Sequence, residues 1–285
     1  MSEEPVVPAL RDPVMVAAFE GWNDAGEAAS AALSHLERVW QARPLAELDP
    51  QDYHDFQVNR PVVRTGEDGR RQVTWPTTRL FLASPPGAGR DVVLVRGIEP
   101  SMRWRSFCAE ILSHASRLQV STLVTLGALL ADVPHTRPIP VTTTSDDEQL
   151  IARLAVEPSR YEGPTGIVGV LHDAAATAGL PSLSLWAAVP HYVGQSPSPK
   201  ATLALLRRVE ELFDVTVPLE ELPEDARAWE RGVDELSEED SEIAEYVRQL
   251  EEAKDTVDLP EASGEAIARE FERYLRRRDD GPGRH

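Results

Sequence analysis

The chain has 285 residues, enough to bury a sizeable core, and 41% of them are hydrophobic. Its 48 acidic and 29 basic side chains give a formal net charge of −19, which argues against nucleic acid and anionic membrane as partners. A single cysteine, Cys108, excludes an internal disulfide and a cysteine-based zinc site, and no stretch approaches the roughly 18 unbroken apolar residues of a membrane span.

In chain order, Met1-Ser2-Glu3-Glu4-Pro5 lacks the basic region and apolar core of a secretory signal, so a cytoplasmic protein is expected. Val14-Met15-Val16-Ala17-Ala18-Phe19 is a short apolar run of buried-strand type. Residues 25–40 are alanine-rich, with Ala29, Leu33, Leu36 and Trp40 at helical spacing. Between them lies the polar turn Glu20-Gly21-Trp22-Asn23-Asp24-Ala25-Gly26. A strand that empties into a helix through such a turn opens an α/β unit, and ligands of open α/β sheets gather at strand carboxyl ends. Residues 62–65 and 71–75 flank Gly66-Glu67-Asp68-Gly69 and read as a β-hairpin with an Asp-Gly turn, an insertion that points to a partly mixed sheet. Further strands are read at 79–83, 91–95, 120–126, 139–143, 166–170 and 183–189, and further helices at 101–118, 146–155, 171–179 and 198–213. Several strands are continuous apolar runs, as a mainly parallel sheet covered on both faces requires. The alternation predicts a three-layer α/β/α domain over residues 1–215. Cys108, among apolar neighbours in its helix, reads as a core residue.

After Pro218 the composition turns charged and helical. Residues 219–285 hold 22 acidic and 10 basic side chains, a net of −12 against −7 for the rest. Ser237, with Asp240 three residues on, reads as a helix start, followed by the apolar stripe Ile243, Tyr246, Val247 and Leu250. A second helix is read at 263–278, with Ile267, Phe271 and Tyr274 on one face and Arg276-Arg277-Arg278 closing it. Residues 279–285 read as a disordered tail. Residues 216–285 are thus expected to form an acidic helical appendage that lays its stripe on its own α/β domain or on a neighbouring subunit.

Three loops leave strands at their carboxyl ends with polar groups. Glu20, Asn23 and Asp24 follow the first strand, Arg96 and Glu99 the strand at 91–95, and Asp132, His135 and Arg137 the strand at 120–126. In a parallel sheet they converge on one edge, where carboxylates, an imidazole and two guanidiniums could bind an anionic group and move a proton. Local explanations stand beside this one. Asn23 or Asp24 can cap the following helix, Gly21 and Gly26 can permit a tight turn, Asp132 can hold its loop, and Arg96 or Arg137 can balance Glu20 or Glu99. Nucleotide loops are excluded more firmly. Glu27 and Ala28 stand where a P-loop needs Lys and Ser/Thr, and the glycine-rich 163–169 runs into a strand. There is no Gly-x-Ser-x-Gly elbow and no helical His-x-x-x-His pair, so neither a cofactor nor a metal is expected.

The turn at 20–26 carries a resemblance. With Leu126-Gly127-Ala128-Leu129-Leu130-Ala131-Asp132-Val133-Pro134-His135-Thr136-Arg137-Pro138, and Val189-Pro190-His191-Tyr192-Val193 followed by Ser198-Pro199-Lys200-Ala201, it is similar to the signature of the PAC2 family of proteasome-assembly-chaperone-like proteins, in its actinobacterial branch. The resemblance spans residues 10–215. It implies a phosphorylase/hydrolase-like α/β/α core, a homo-oligomer (a trimer, as related members suggest) and a protein-interaction role with proteasome subunits among the partners. The alternative is a small-molecule-binding protein or enzyme acting on an anionic ligand at the strand-end loops. Family chaperones that dock in proteasome pockets often use a terminal hydrophobic-Tyr-any tail. This sequence ends Gly281-Pro282-Gly283-Arg284-His285, and the only similar triplet, His191-Tyr192-Val193, is internal, so an interaction is expected to use a folded surface.

Overall fold

The first apolar run becomes β1 (Val14–Glu20), and its place in the sheet explains its composition. In the computed structural model of the chain, which describes residues 9–66, 69–194 and 197–258, β1 is the middle of a seven-stranded sheet. Its parallel neighbours are β6 (Val92–Ile98) and β7 (Thr122–Ala131), and β9 (Ser182–Pro190) extends the parallel core beyond β7. Antiparallel strands complete both edges. β5 (Arg79–Ala83) pairs with β6, β2 (Arg43–Glu47) with β5, and β8 (Val141–Thr144) with β9, giving the order β2-β5-β6-β1-β7-β9-β8.

Successive β1 side chains point to opposite faces, and both faces are covered. Val14, Val16 and Ala18 pack with Leu33 and Leu36 of α1 (Ala28–Val39), with Leu150 of α4 (Glu148–Leu154), and with Leu205 and Val209 of α6 (Pro199–Phe213). Met15, Ala17 and Phe19 pack with Phe107 and Ile111 of α3 (Trp104–Arg117) and with Val168 and Leu171 of α5 (Ile167–Thr177). Tyr53, closing the single turn α2 (Pro50–Tyr53), sets its ring edge-on to Phe107. Each fully buried large side chain contributes about 1.5–3 kcal/mol. The expected three-layer α/β/α domain is therefore present, with its parallel strands in the centre.

Some elements differ from expectation. Residues 166–170 are not a strand; Ile167 opens α5. The mixed character of the sheet comes from β2, β5 and β8, whereas the hairpin of β3 (Val62–Thr65) and β4 (Arg71–Thr74) forms a separate two-stranded sheet. β2 and α2 were not anticipated. Pro44 interrupts the strand pattern of β2, which is tolerated because β2 is an edge strand.

After Pro218, α7 (Leu222–Glu239) and α8 (Ser241–Asp258) follow. Ser237 does not start a helix; it is buried within α7, where its hydroxyl donates to the Val233 carbonyl at 2.8 Å. The break falls at Asp240, whose carboxylate accepts from the backbone N–H groups of Glu242 (2.9 Å) and Ile243 (3.3 Å) and so caps α8. Of the expected stripe on α8, Val247 is buried and Ile243, Tyr246 and Leu250 are partly buried. The helix read at 263–278 and the tail at 279–285 lie outside the described residues. Among the described residues, no helix is long and apolar enough to cross a membrane.

Candidate functional site at the strand carboxyl ends

The order β6-β1-β7 makes the three polar loops neighbours, as a parallel sheet requires. Their side chains nevertheless separate into three groups.

The first group serves helix starts. Asp24 is buried, and its Oδ1 accepts from the backbone N–H groups of Ala29 (2.8 Å) and Ser30 (3.1 Å), capping α1 across the 3₁₀ turn Ala25–Glu27. Gly26 (φ 59°) supplies the left-handed conformation that this turn needs. Burial raises the Asp24 carboxyl above its usual range, against the opposing pull of its hydrogen bonds. Asn23 Oδ1 accepts from Val168 N–H (3.4 Å) and Glu99 Oε1 from Ile167 N–H (2.8 Å). Two loops from adjacent strands thus close the N-terminus of α5, whose unpaired N–H groups and positive dipole end favour a carboxylate. Gly166 makes the approach possible, since a Cβ there would lie 2.0 Å from Asn23 Oδ1 and 2.7 Å from Glu99 Oε1. Backbone bonds fix the same loops: Glu99 N–H donates to the Glu20 carbonyl, and Ala128 N–H to that of Asn23, both at 2.8 Å.

The second group faces α1. Arg96 Nε donates to Glu37 Oε2 at 2.9 Å, and its guanidinium lies 5.8 Å from the centre of the Phe81 ring. The Glu20 carboxyl is raised above the usual range, because desolvation, aided by the charges of Asp24 and Glu27, outweighs the attraction of Arg96.

The third group, on the loop after β7, is covered by the C-terminal helices. His135 is 1% exposed. Its backbone N–H reaches the Tyr192 hydroxyl at 2.8 Å, and the same hydroxyl lies 2.8 Å from His135 Nδ1. The hydroxyl therefore accepts from the backbone and donates to Nδ1, which leaves Nε2–H to donate to Asp234 Oδ1 of α7 at 2.9 Å. Burial pushes the Tyr192 phenol up to about 12, so it stays protonated in this role. Lys200 Nζ donates to the His135 carbonyl and to Glu230 of α7. Asp132 accepts from the Tyr246 hydroxyl of α8 (3.0 Å) and stands 3.2 Å from His191 Nδ1. Arg137 binds Asp255 with two nitrogens (2.9 and 2.7 Å) and reaches Glu251 at 3.2 Å.

Tyr192, Lys200, Glu230 and Asp234 were not among the residues singled out as candidates. Tyr192 and Lys200 lie in a segment that carried the resemblance, which was the available signal; Asp234 and Glu230 are ordinary charged positions of an amphipathic helix. A reactive nucleophile is not assembled from these groups. Cys108 is buried in the core and its thiol is pushed up to about 11 by desolvation. Among the described residues, no group of three or more His, Cys, Asp or Glu could hold a metal ion. Two open grooves, of about 530 and 570 Å³, lie elsewhere, one beside β8 and Arg208 and the other between α1, α6 and the start of α7.

These features define an α/β/α protein whose strand-end turns brace its own helices. The chain belongs to the PAC2 family, which it matches over residues 18–237. It is similar to a PAC2 family protein from Streptomyces avermitilis, with 62% identity and a TM-score of 0.79 over 83% of this chain and 100% of that one. It is also similar to a proteasome-assembly chaperone homologue from Mycobacterium tuberculosis, with 54% identity and a TM-score of 0.75 over 82% of this chain and 99% of that one. An archaeal homolog of proteasome-assembly chaperone from Pyrococcus furiosus shares the fold at 18% identity, with a TM-score of 0.59 over 87% of this chain and 98% of that one. A comparison with curated proteins finds no match.

Proposed function

We propose that this PAC2 protein works by binding other proteins, as a scaffold of the proteasome-assembly-chaperone type, with proteasome subunits as its partners. The observation that carries the reading is that the polar groups at the strand carboxyl ends, where a ligand of such a sheet would bind, are bonded to this chain's own helix starts and C-terminal helices. The partner class comes from the 54% identical M. tuberculosis protein. Residues 1–215 are the core of the scaffold and 216–285 its acidic appendage, in the cytoplasm. The reading includes a homo-oligomer, with three copies as the family expectation. Docking by a tyrosine tail through His191-Tyr192-Val193 is disfavoured, because the Tyr192 hydroxyl is held by His135.

Sizing chromatography with light scattering tests the reading, on the full chain alone and mixed with proteasome α-subunits from the same organism. A stable co-eluting complex is the expected result. Elution profiles that simply superimpose those of the separate proteins would overturn the proteasome partner.

A further inference from the structure

The hairpin β3–β4 has few attachments to the rest of the chain. All eight of its strand residues are exposed. At its base, the Trp75 ring meets that of Phe56, with centroids 4.8 Å apart. An isolated two-stranded hairpin is marginal in water, and this one also shows apolar side chains to solvent. Val63 and Val73 stand directly opposite one another and are 50% and 53% exposed; Trp75 is 44% exposed. Arg60, Arg64 and Arg71 are exposed around them.

The arm leaves the body at one end of the sheet. The strand that follows it, β5, enters at Arg79, opposite Arg96 of β6, so the arm springs from the carboxyl ends of the parallel strands. The same end holds other exposed apolar groups: Trp22 after β1, Met102 after β6, and Leu129 and Leu130 near the end of β7. Carboxylates accompany this rim, with Glu20 two residues from Trp22 and Asp132 two residues after Leu130. By sequence the arm carries more guanidiniums than carboxylates, Arg60, Arg64, Arg70 and Arg71 against Glu67 and Asp68, whereas the rim is apolar with carboxylates. Among the described residues both remain uncovered, and exposed apolar surface of this kind marks interaction surfaces.

We propose that the hairpin of one copy packs on the strand-end rim of a second copy, Val63, Val73 and Trp75 against Trp22, Leu129 and Leu130, with the arm's arginines facing Glu20 and Asp132. Charge selects this arrangement. Copies of a chain with a net charge of −19 repel one another in most orientations, and the arm supplies the cations that make one orientation attractive. Arm and rim are different surfaces, so the contact runs head to tail and yields a ring where the rotation closes. The inference rests on the self-association included in the reading above and not on proteasome binding.

Light scattering on the full chain tests it. The wild type is expected to elute as an oligomer. The V63E/V73E variant, altered at positions that are exposed in the folded chain, is expected to elute at the 31.4 kDa monomer mass with an unchanged circular dichroism spectrum. Two carboxylates placed in an apolar contact should raise the dissociation constant by roughly a hundredfold or more. Arg71→Glu and Glu20→Arg should each weaken assembly, and mixing the two variants should restore it in part. A monomeric wild type would overturn self-association altogether. An oligomer left intact by V63E/V73E would overturn the arm alone. If V63E/V73E loses its fold, the charge-reversal pair decides: recovery on mixing supports the contact, and its absence refutes it.

Discussion

Replacing Tyr192 with phenylalanine removes one oxygen and strands two buried groups. The His135 backbone N–H and Nδ1 both depend on that hydroxyl at 2.8 Å, and His135, at 1% exposure, has no access to replacement water. An unsatisfied buried polar group costs about 1–3 kcal/mol, so the pair should cost roughly 2–5 kcal/mol. The other side of the ring contributes less. Asp234 has 47% of its side chain exposed, and Asp234→Asn should lose about 1 kcal/mol or less. In a chain of this size each kcal/mol moves the melting midpoint by roughly 2–4 °C, so Tyr192→Phe should lower it by about 5–15 °C. Thermal unfolding followed by circular dichroism gives the shift, and hydrogen exchange shows whether α7 loses protection with it. A variant that melts within a degree or two of wild type, with α7 equally protected, would mean that the hydroxyl does not bridge both groups.

Three further outcomes are expected. A Cβ on Gly97 would sit 2.3 Å from Thr78 Oγ1 and 2.8 Å from its Cα, so Gly97→Ala should lose about 3 kcal/mol or more, read as a fall in soluble yield and melting midpoint. The folded Asp24 carboxyl lies above its unfolded value of 3.8, so its contribution to stability is complete below that value and is lost as pH rises through the folded one. Asp24→Asn keeps an acceptor without the buried charge, and should therefore gain on wild type in urea midpoints as pH rises above about 4, whereas Asp24→Ala should lose about 1–2 kcal/mol throughout; a constant offset for the Asn variant would count against the raised carboxyl. Cys108 should react with a thiol reagent only at the rate of unfolding, and fast labelling of the native chain would contradict its burial.

The parts of the fold readable in the sequence are those whose partners leave a local trace. β1 and β9 are apolar runs because both of their faces are covered, and α1 and α6 show helical spacing because one face of each is buried. The start of α5 was misread for a definite reason. Ile167-Val168-Gly169-Val170 is β-branched and short, and its N-terminal N–H groups are satisfied by Asn23 and Glu99, far away in the chain, so no capping residue adjoins it. At Ser237 the reverse happened: a residue of good capping type sits buried in mid-helix, and Asp240 does the capping. The location of the polar loops at adjacent strand ends followed from topology. Their partners did not, since Glu37, Asp234, Glu251 and Asp255 are unremarkable charges on helix surfaces until the chain is folded. The hairpin was legible from its turn, but its separation from the main sheet was not.

The strand order β2-β5-β6-β1-β7-β9-β8 also has a consequence in time. Among the described residues, the strand that comes first in the chain is the one that ends up in the middle. β1 has no sequence neighbour to pair with; its first flanking strand begins at Val92 and its second at Thr122, and both pairings are parallel. At synthesis rates of about 5–20 residues per second, its apolar run waits several seconds for its first partner and longer for its second. Non-local parallel pairing of this kind is slow and leaves hydrophobic surface open to aggregation. During synthesis the apolar run of β1 therefore stays without sheet partners until residues 92–98 and then 122–131 have followed it.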